Sequence, residues 1–397
     1  MISVSEATQA ILAHLHSPAV ARVPIEKAIR NILAETIKAD RDFPPFDRVT
    51  MDGIAIAFDQ YQAGAREFAI EKIHAAGEPQ VALDNPSNAI EVMTGAMLPE
   101  GTDTVIRYED VIINDKRIAS LRDIMITKGQ SIHSKGQDAR KDETLLEPGL
   151  KLSAAEIALL ASVGKTQVAI VQGPKTAIIG SGDELVSVND IPMIHQIRRS
   201  NTYALQAAMH DLNWAAGQYH LADNKEQLSM ALKKLLDEHD VLILSGGVSK
   251  GKFDFIPAVL EELGVKKVFH EVSQRPGKPF WFGVKGSKRI FALPGNPVST
   301  FMCFYRYIRP WFFRSLGVET KPEHAVLAKD FSFQPKLTYF LQVQVRNENG
   351  CLRAYPDQGG GSGDFANLKK IDGFLELPSE KTDFKAGDVF PFIPFRG

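Results

Sequence analysis

The chain has 397 residues, more than one ordinary hydrophobic core supports, so about two to four domains are expected. With 44% hydrophobic residues, 24% charged ones and a formal net charge of -2, it is neither charge-disordered nor broadly basic, which argues against nucleic acid or an anionic membrane as partner. Two cysteines, Cys303 and Cys351, exclude a disulfide scaffold and fit a reducing cytoplasm, and no apolar run approaches the length of about 18 needed to span a membrane.

The N-terminal "MISVSEATQAILAHLHSP" lacks the basic start and long apolar run of a signal peptide. Ile2, Val4, Ala7, Ile11 and Leu15 recur at near-helical spacing, which predicts an amphipathic helix with Ser5 as its cap. Ile25, Ala28, Ile29, Ile32 and Leu33 extend the helical reading to about residue 40, where the prolines of "FPPF" end it. Next come short strand-like runs separated by turn residues: "GIAIAF", "REFAIEKIHAAG", "AIEVMTGAMLPEG" and "DTVIRYEDVII". "LSAAEIALLASVG" predicts a helix with Ser153 and Glu156 as a capping box and Gly164 as its stop, and "TQVAIV" a strand.

From residue 174 strands and helices alternate, which predicts a parallel sheet covered on both faces. In "NKEQLSMALKKLLDEH" the apolar stripe is Leu228, Ala231, Leu232, Leu235 and Leu236, with Asp223 placed to cap the start. Beyond residue 320, "YFLQVQVRN", "GCLRAYP", "GFLELP" and "DVFPFIPF" read as strands of a small barrel or sandwich. The fold class is multidomain, α/β plus β.

Five loops join glycine to an acid or a hydroxyl. They are Asp52-Gly53 in "TMDGIAI"; Thr94, Gly95, Pro99 and Asp103 in "MTGAMLPEGTD"; Ser181, Gly182, Asp183 and Glu184 in "GSGDELV"; "SGGVSKGKFD"; and "RPGKPFWFG" with "FALPGNPVSTF". Glycine admits a ligand close to the backbone, and turn or helix-start amides hold anions. Arg275, Lys278 and Lys252 add positive charge, whereas Asp52, Asp183, Glu184 and Asp254 repel phosphate unless a divalent cation intervenes. The combination points to an anionic ligand with magnesium. Each feature also has a plainer reading. Asp52-Gly53 is a common hairpin turn, Asp183-Glu184 an ordinary helix start, and "PGNP" a rigid turn with proline at the first helical position. Gly246, Gly251 and Lys252 match the start of a P-loop, but Phe253 stands where a magnesium-binding Ser or Thr is required. The ten histidines form no paired zinc motif.

"MDG", "TGA-x-L-P-x-G-x-D", "GQD", "SGDEL", "SN", "LSGGVS-x-G-x-x-D", "RPGKP" and "LPGNPVS" occur in the order of the molybdopterin molybdenumtransferases, the MoeA and gephyrin E-domain family, and the chain resembles that family over nearly its whole length. The resemblance implies a helical and β base domain (1–41 and 143–173) and an inserted β-rich domain (42–142). An α/β molybdopterin-binding domain (174–321) and a C-terminal β-barrel (322–397) complete the chain. It further implies a cytoplasmic homodimer whose sites lie between the α/β domain of one subunit and the inserted domain of the other. A molybdopterin adenylyltransferase is an implied partner. The implied reaction is insertion of molybdate into adenylylated molybdopterin, releasing AMP, with Mg2+ or another divalent cation. The alternatives are a diverged paralogue using tungstate or a related pterin, and a non-catalytic scaffold.

Carried onto this sequence, the resemblance makes Asp52, Thr94, Asp138, Glu184, Asp223 and Asp254 catalytic, with Asp52, Glu184, Asp223 and Asp254 organising metal and adenylate. Substrate binding falls to Ser181, Gly182, Ser245, Gly246, Gly247, Ser249, Arg275, Lys278, Pro294, Asn296, Pro297 and Ser362. The chain departs from the family pattern at Ile54, Gln137, Arg199, Lys252 and Arg275; the changes at Gln137, Arg199 and Lys252 remove negative charge.

Overall fold

The computed structural model describes residues 1–248 and 255–396. Its first helix is Val4–Leu12, and Ser3 rather than Ser5 caps it: Ser3 and Glu6 form a reciprocal capping box. Val4, Ala7 and Ile11 are buried, while Leu15 is exposed. The helical reading of residues 25–40 fails. Ala19–Pro24 is a strand, only Ile25–Lys27 makes a 3-10 turn, and Ile32–Leu33 and Ile37–Lys38 are strands. Tertiary pairing decides here. Ala19–Pro24 and Ile32–Leu33 both pair with Gln167–Gln172, a partner more than 130 residues away in sequence that no local window contains. Their apolar side chains close a small core with the helix Ala154–Ser162, whose capping box of Ser153 and Glu156 is present as expected.

Between these segments lies a six-stranded sheet in the order Thr104–Arg107, Gly53–Ile56, Ala89–Val92, Glu67–His74, Ile118–Leu121, Val111–Ile113. Separate apolar clusters cover its two faces, one around Ile54, Phe68 and Ile106, the other around Ala55, Ile90 and Val105. Alternate residues of Gly53–Ile56 therefore serve opposite layers, as strand geometry requires. Gly53 itself has no room for a side chain, since a Cβ there would lie 1.9 Å from the Ile106 carbonyl oxygen.

The α/β region holds a second six-stranded sheet in the order Ala216–Leu221, Thr176–Ser181, Val241–Ser245, Lys288–Leu293, Trp281–Lys285, Lys266–His270. The first four strands are parallel; Trp281–Lys285 runs antiparallel to both its neighbours, Lys288–Leu293 and Lys266–His270, so the sheet is mixed at one edge rather than wholly parallel. On one face Leu228, Leu232, Leu235 and Leu236 of helix Lys225–Glu238 pack with Val259 and Leu260 of helix Ile256–Glu262. The first helix and the C-terminal helical run cover the other face, where Trp214 stacks on Phe312 with ring centres 4.1 Å apart. That run is α over Pro297–Cys303, π over Phe304–Ile308 and α over Arg309–Ser315. Pro310, which has no amide to donate, sits at the junction.

The C-terminal strands Thr338–Glu348, Cys351–Pro356, Glu323–Leu327, Val389–Pro394 and Gly373–Leu377 close on one another into a five-stranded barrel around Leu341, Leu375 and Phe392. Gln274–Arg275 from the α/β region adds to the barrel as a parallel strand against Thr338–Glu348. Among the described residues, no helix is long and apolar enough to cross a membrane.

Candidate functional site

The four parallel strands all end at one edge of the sheet; Thr176–Ser181, Val241–Ser245 and Lys288–Leu293 deliver glycine loops singled out from sequence, and Ala216–Leu221 leads to Asp223. Taken in sequence order they lie 2-1-3-4, so the connections diverge between Thr176–Ser181 and Val241–Ser245. A crevice is expected there, outside the carboxyl ends. A cleft of about 360 Å³ lies at this place, lined by Ser181, Gly182, Glu184, Asp223, Gly246 and Gly247 on one side and Pro279, Pro294 and Asn296 on the other.

Backbone geometry makes the crevice. Gly246 has φ +98°, and a Cβ there would lie 2.7 Å from the Ser181 carbonyl oxygen, so the "SGG" turn admits only glycine at that contact. Ser245 is held by Asn201, whose Nδ2 donates to Ser245 Oγ at 2.9 Å and to the Gly295 carbonyl at 2.8 Å. Asn201 thus ties two strand ends together. The sequence reading quoted it only within "SN", because its partners lie 44 and 94 residues away.

The acids divide by role. Ser181 Oγ donates to Asp223 Oδ1 at 2.9 Å, and the Asp223 amide donates to Asp183 Oδ1 at 3.1 Å. Asp223 is therefore not the helix cap expected for it. Asn224 caps instead, accepting from the amides of Glu226 and Gln227, which leaves the Asp223 carboxylate turned to the cleft. Asp183 and Glu184 start no helix; they lead into the short strand Leu185–Val186. The Glu184 carboxylate has no hydrogen-bonding or ionic partner among the described residues and lies over Gly182. An unpartnered carboxylate beside Asp223 fits magnesium, which takes one or two carboxylates and completes its shell with water and phosphate oxygens. Among the described residues, however, no three His, Cys, Asp or Glu side chains converge as a metal site.

The cleft continues in two directions. Through Pro279, Pro294 and Asn296 it joins a cavity of about 310 Å³ that includes Arg275, Lys278, Ser299 and Ser362. Asn296 Nδ2 donates to Ser362 Oγ at 3.0 Å, which fastens the C-terminal glycine loop to the start of helix Pro297–Cys303. Tyr339 and Gln342 of the barrel form the far wall, a contribution with no motif to announce it. Through Glu184, Gly246 and Asn296 the cleft also joins a cavity of about 410 Å³ bounded by Arg199, Asn201 and Pro297.

Asp52, Thr94 and Asp138 line none of these three cavities. They lie in the region of residues 42–142. Asp52 Oδ1 accepts from Thr94 Oγ1 at 2.7 Å and from the Thr94 amide at 2.6 Å. The hydroxyl bond first, then the amide bond, holds the Asp52 carboxyl below the usual range. Asp138 Oδ1 accepts from His133 Nε2 at 2.9 Å, while Arg48 Nη2 lies 2.9 Å from His133 Nδ1. Since guanidinium can only donate, Nδ1 accepts and the proton sits on Nε2. Neither Arg48 nor His133 was singled out from sequence, for the contact spans 85 residues. Ser249 and Asp254, with Lys252, lie outside the described residues.

Family models match most of the chain in three consecutive pieces: the MoeA N-terminal region (domain I and II) over residues 2–164, a "Probable molybdopterin binding domain" over 177–314, and the MoeA C-terminal region (domain IV) over 324–395. The chain belongs to the MoeA family. A molybdopterin molybdenumtransferase from Synechocystis is 41% identical over 99% of both chains. One from Staphylococcus aureus is 29% identical over 99% of this chain and 95% of its own. A crystal structure of a molybdopterin biosynthesis MoeA protein from Pyrococcus horikoshii superimposes over 100% of both chains with a TM-score of 0.85 and 30% identity. The expected architecture of an α/β molybdopterin-binding region with a C-terminal barrel is thereby borne out.

Proposed function

We propose that this MoeA-family chain acts in molybdenum cofactor biosynthesis, as a transferase that inserts molybdate into adenylylated molybdopterin and releases AMP. The observation that carries the reading is the run of three adjoining cavities along the strand ends. They combine glycine turns with the carboxylates of Glu184 and Asp223, and with the cations of Arg275 and Lys278. The close relatives named as molybdopterin molybdenumtransferases support the same reaction.

In this reading, a molybdate oxygen attacks the pterin phosphate, AMP leaves with the bridging oxygen, and the pterin dithiol takes the molybdenum: two Mo–S bonds replace two Mo–O bonds, one oxygen staying on the pterin phosphate and the other leaving with the two thiol protons as water. Magnesium held by Glu184 and Asp223 would neutralise phosphate charge. Ser181 keeps the Asp223 carboxylate oriented, and Lys278 and Arg275 attract oxyanion toward Ser299 and Ser362. Pro294 and Pro297 shape the wall against which the pterin lies. Asp254 and Ser249 remain assigned by the family pattern alone. The reaction needs no protein nucleophile, which agrees with the lack of any Ser-His or Cys-His motif in the sequence.

The site is completed by a second copy of the chain. Two observations support a homodimer. Asp52, Thr94 and Asp138 stand outside the cavities of their own chain. Ile191, Met193 and Ile194 are exposed on the loop between Val186 and Ile197, beside the cavity that Leu185 and Ile197 line. The reaction is placed in the cytoplasm, where the free thiols of Cys303 and Cys351 stay reduced, with a molybdopterin adenylyltransferase supplying the substrate.

The test is to incubate purified protein with adenylylated molybdopterin, magnesium and either molybdate or tungstate, measuring AMP and metal-pterin product. AMP release that depends on molybdate is expected. No release with either oxyanion would overturn the proposal.

A further inference from the structure

Among the described residues, the Arg199 guanidinium has no partner, in a place where it should have one. Its side chain lines the cavity of about 410 Å³. Its Nε is buried and bonds to nothing, and no carboxylate among the described residues lies within ion-pair distance of its guanidinium. Neighbouring Arg198 also lines the cavity, but it is exposed, and its Nε donates to the Asp190 carbonyl at 3.1 Å. An Arg N–H removed from water and left unbonded is costly, and such a group ordinarily faces a ligand that completes it.

The surroundings say what that ligand is. The Arg199 amide is fixed by the Val186 carbonyl at 3.1 Å, so the residue is anchored and only its side chain is free to engage. The cavity it faces adjoins the glycine turn at Gly246 and the start of helix Asn201–Asp211, where Ser200 makes no side-chain cap. Glu184 lines the same cavity but makes no ion pair with Arg199. A guanidinium offers a planar fork of donors that matches a tetrahedral oxyanion.

We infer that Arg199 is the anchor for a phosphate group of the substrate in the cavity between Glu184 and Asn201, and that it sets the preference of this chain for a phosphorylated ligand there. The inference rests on the function proposed above, since it takes that substrate to be a phosphorylated pterin nucleotide. Its test reads binding rather than turnover, so the two can fail separately.

AMP, inorganic phosphate and molybdate are each titrated calorimetrically into the full chain, into Arg199→Gln and Arg199→Lys, and into Arg353→Gln as control, an exposed barrel residue that lines none of the three cavities. Thermal unfolding of each variant checks that it is folded. Wild type and Arg353→Gln should bind AMP or phosphate alike. Arg199→Gln should lose at least about tenfold in affinity, a difference of about 1.4 kcal/mol, because the charged fork of donors is gone. Arg199→Lys, which keeps the charge but not the fork, should fall between. Equal affinities in wild type and Arg199→Gln overturn the inference. So do a wild type that binds neither phosphate nor AMP, and a dependence on Arg199 seen with molybdate alone. AMP binding that needs Arg199 without AMP production in the insertion assay would uphold this inference and sink the proposed reaction instead.

Discussion

At the scale of single residues, the candidate acids differ in what their neighbours ask of them. Asp52 is exposed, yet two donors from Thr94 converge on one of its oxygens, so it is held ionised in a fixed direction. Thr94→Val removes the hydroxyl donor, which is the larger cause of the shift, and the Asp52 pKa should rise toward its ordinary value in a carbon-detected NMR titration. Because the folded value is depressed, the bond stabilises the fold above the unfolded pKa and is lost as pH falls through the folded one. The unfolding midpoints of wild type and Thr94→Val should therefore differ near neutral pH and converge in acid. An undiminished difference in acid would show that Thr94 acts through packing. Glu184 is the opposite case: nothing described holds its carboxylate, so it is free for a metal or a substrate donor. The identities of these acids were readable from motif order. Their partners were not, because Asp52 meets Thr94 across 42 residues and Ser181 meets Asp223 across another 42.

At the scale of elements, sequence rules worked where the deciding contacts are local. The capping box at Ser153 and the stripe of Leu228, Leu232, Leu235 and Leu236 are built within one helix, and both are present. They failed between residues 25 and 40, where pairing with Gln167–Gln172 outweighed helical spacing. The start of helix Lys225–Glu238 shows how one position matters. Asn224 caps it, so Asp223 one residue earlier is released to the cleft. Asn224→Ala should lower unfolding free energy by about 1 kcal/mol. Asp223→Asn, which keeps an acceptor for Ser181 but removes the charge, should stay within about 0.5 kcal/mol of wild type and lose AMP release. Chemical denaturation of the two variants checks this. A larger loss from Asp223→Asn would return it to a structural role.

At the scale of the whole molecule, the candidate residues fall into two groups that one chain does not bring to one cavity. Dimer assembly then becomes part of the proposed chemistry. Asp52→Ala and Glu184→Ala should each be inactive alone. Mixed, unfolded and refolded together in equal amounts, they should recover about one quarter of wild-type AMP release, since half the dimers are mixed and each carries one intact site of two. Recovery of nothing, with mixed dimers demonstrated by mass, would place both residues in one chain's site. The α/β character after residue 174, the C-terminal barrel, the glycine turns and the acids set beside them were legible in the sequence, because strand alternation, turn chemistry and residue type are local properties. The tertiary structure alone decided that four strand ends share one edge, that Asn201 and Asn296 bind those loops together, that the barrel walls one side, and that Arg199 has no partner among the described residues. Those outcomes depend on which distant strands pair and on what the closed sheet leaves unfilled, and no window of sequence contains either.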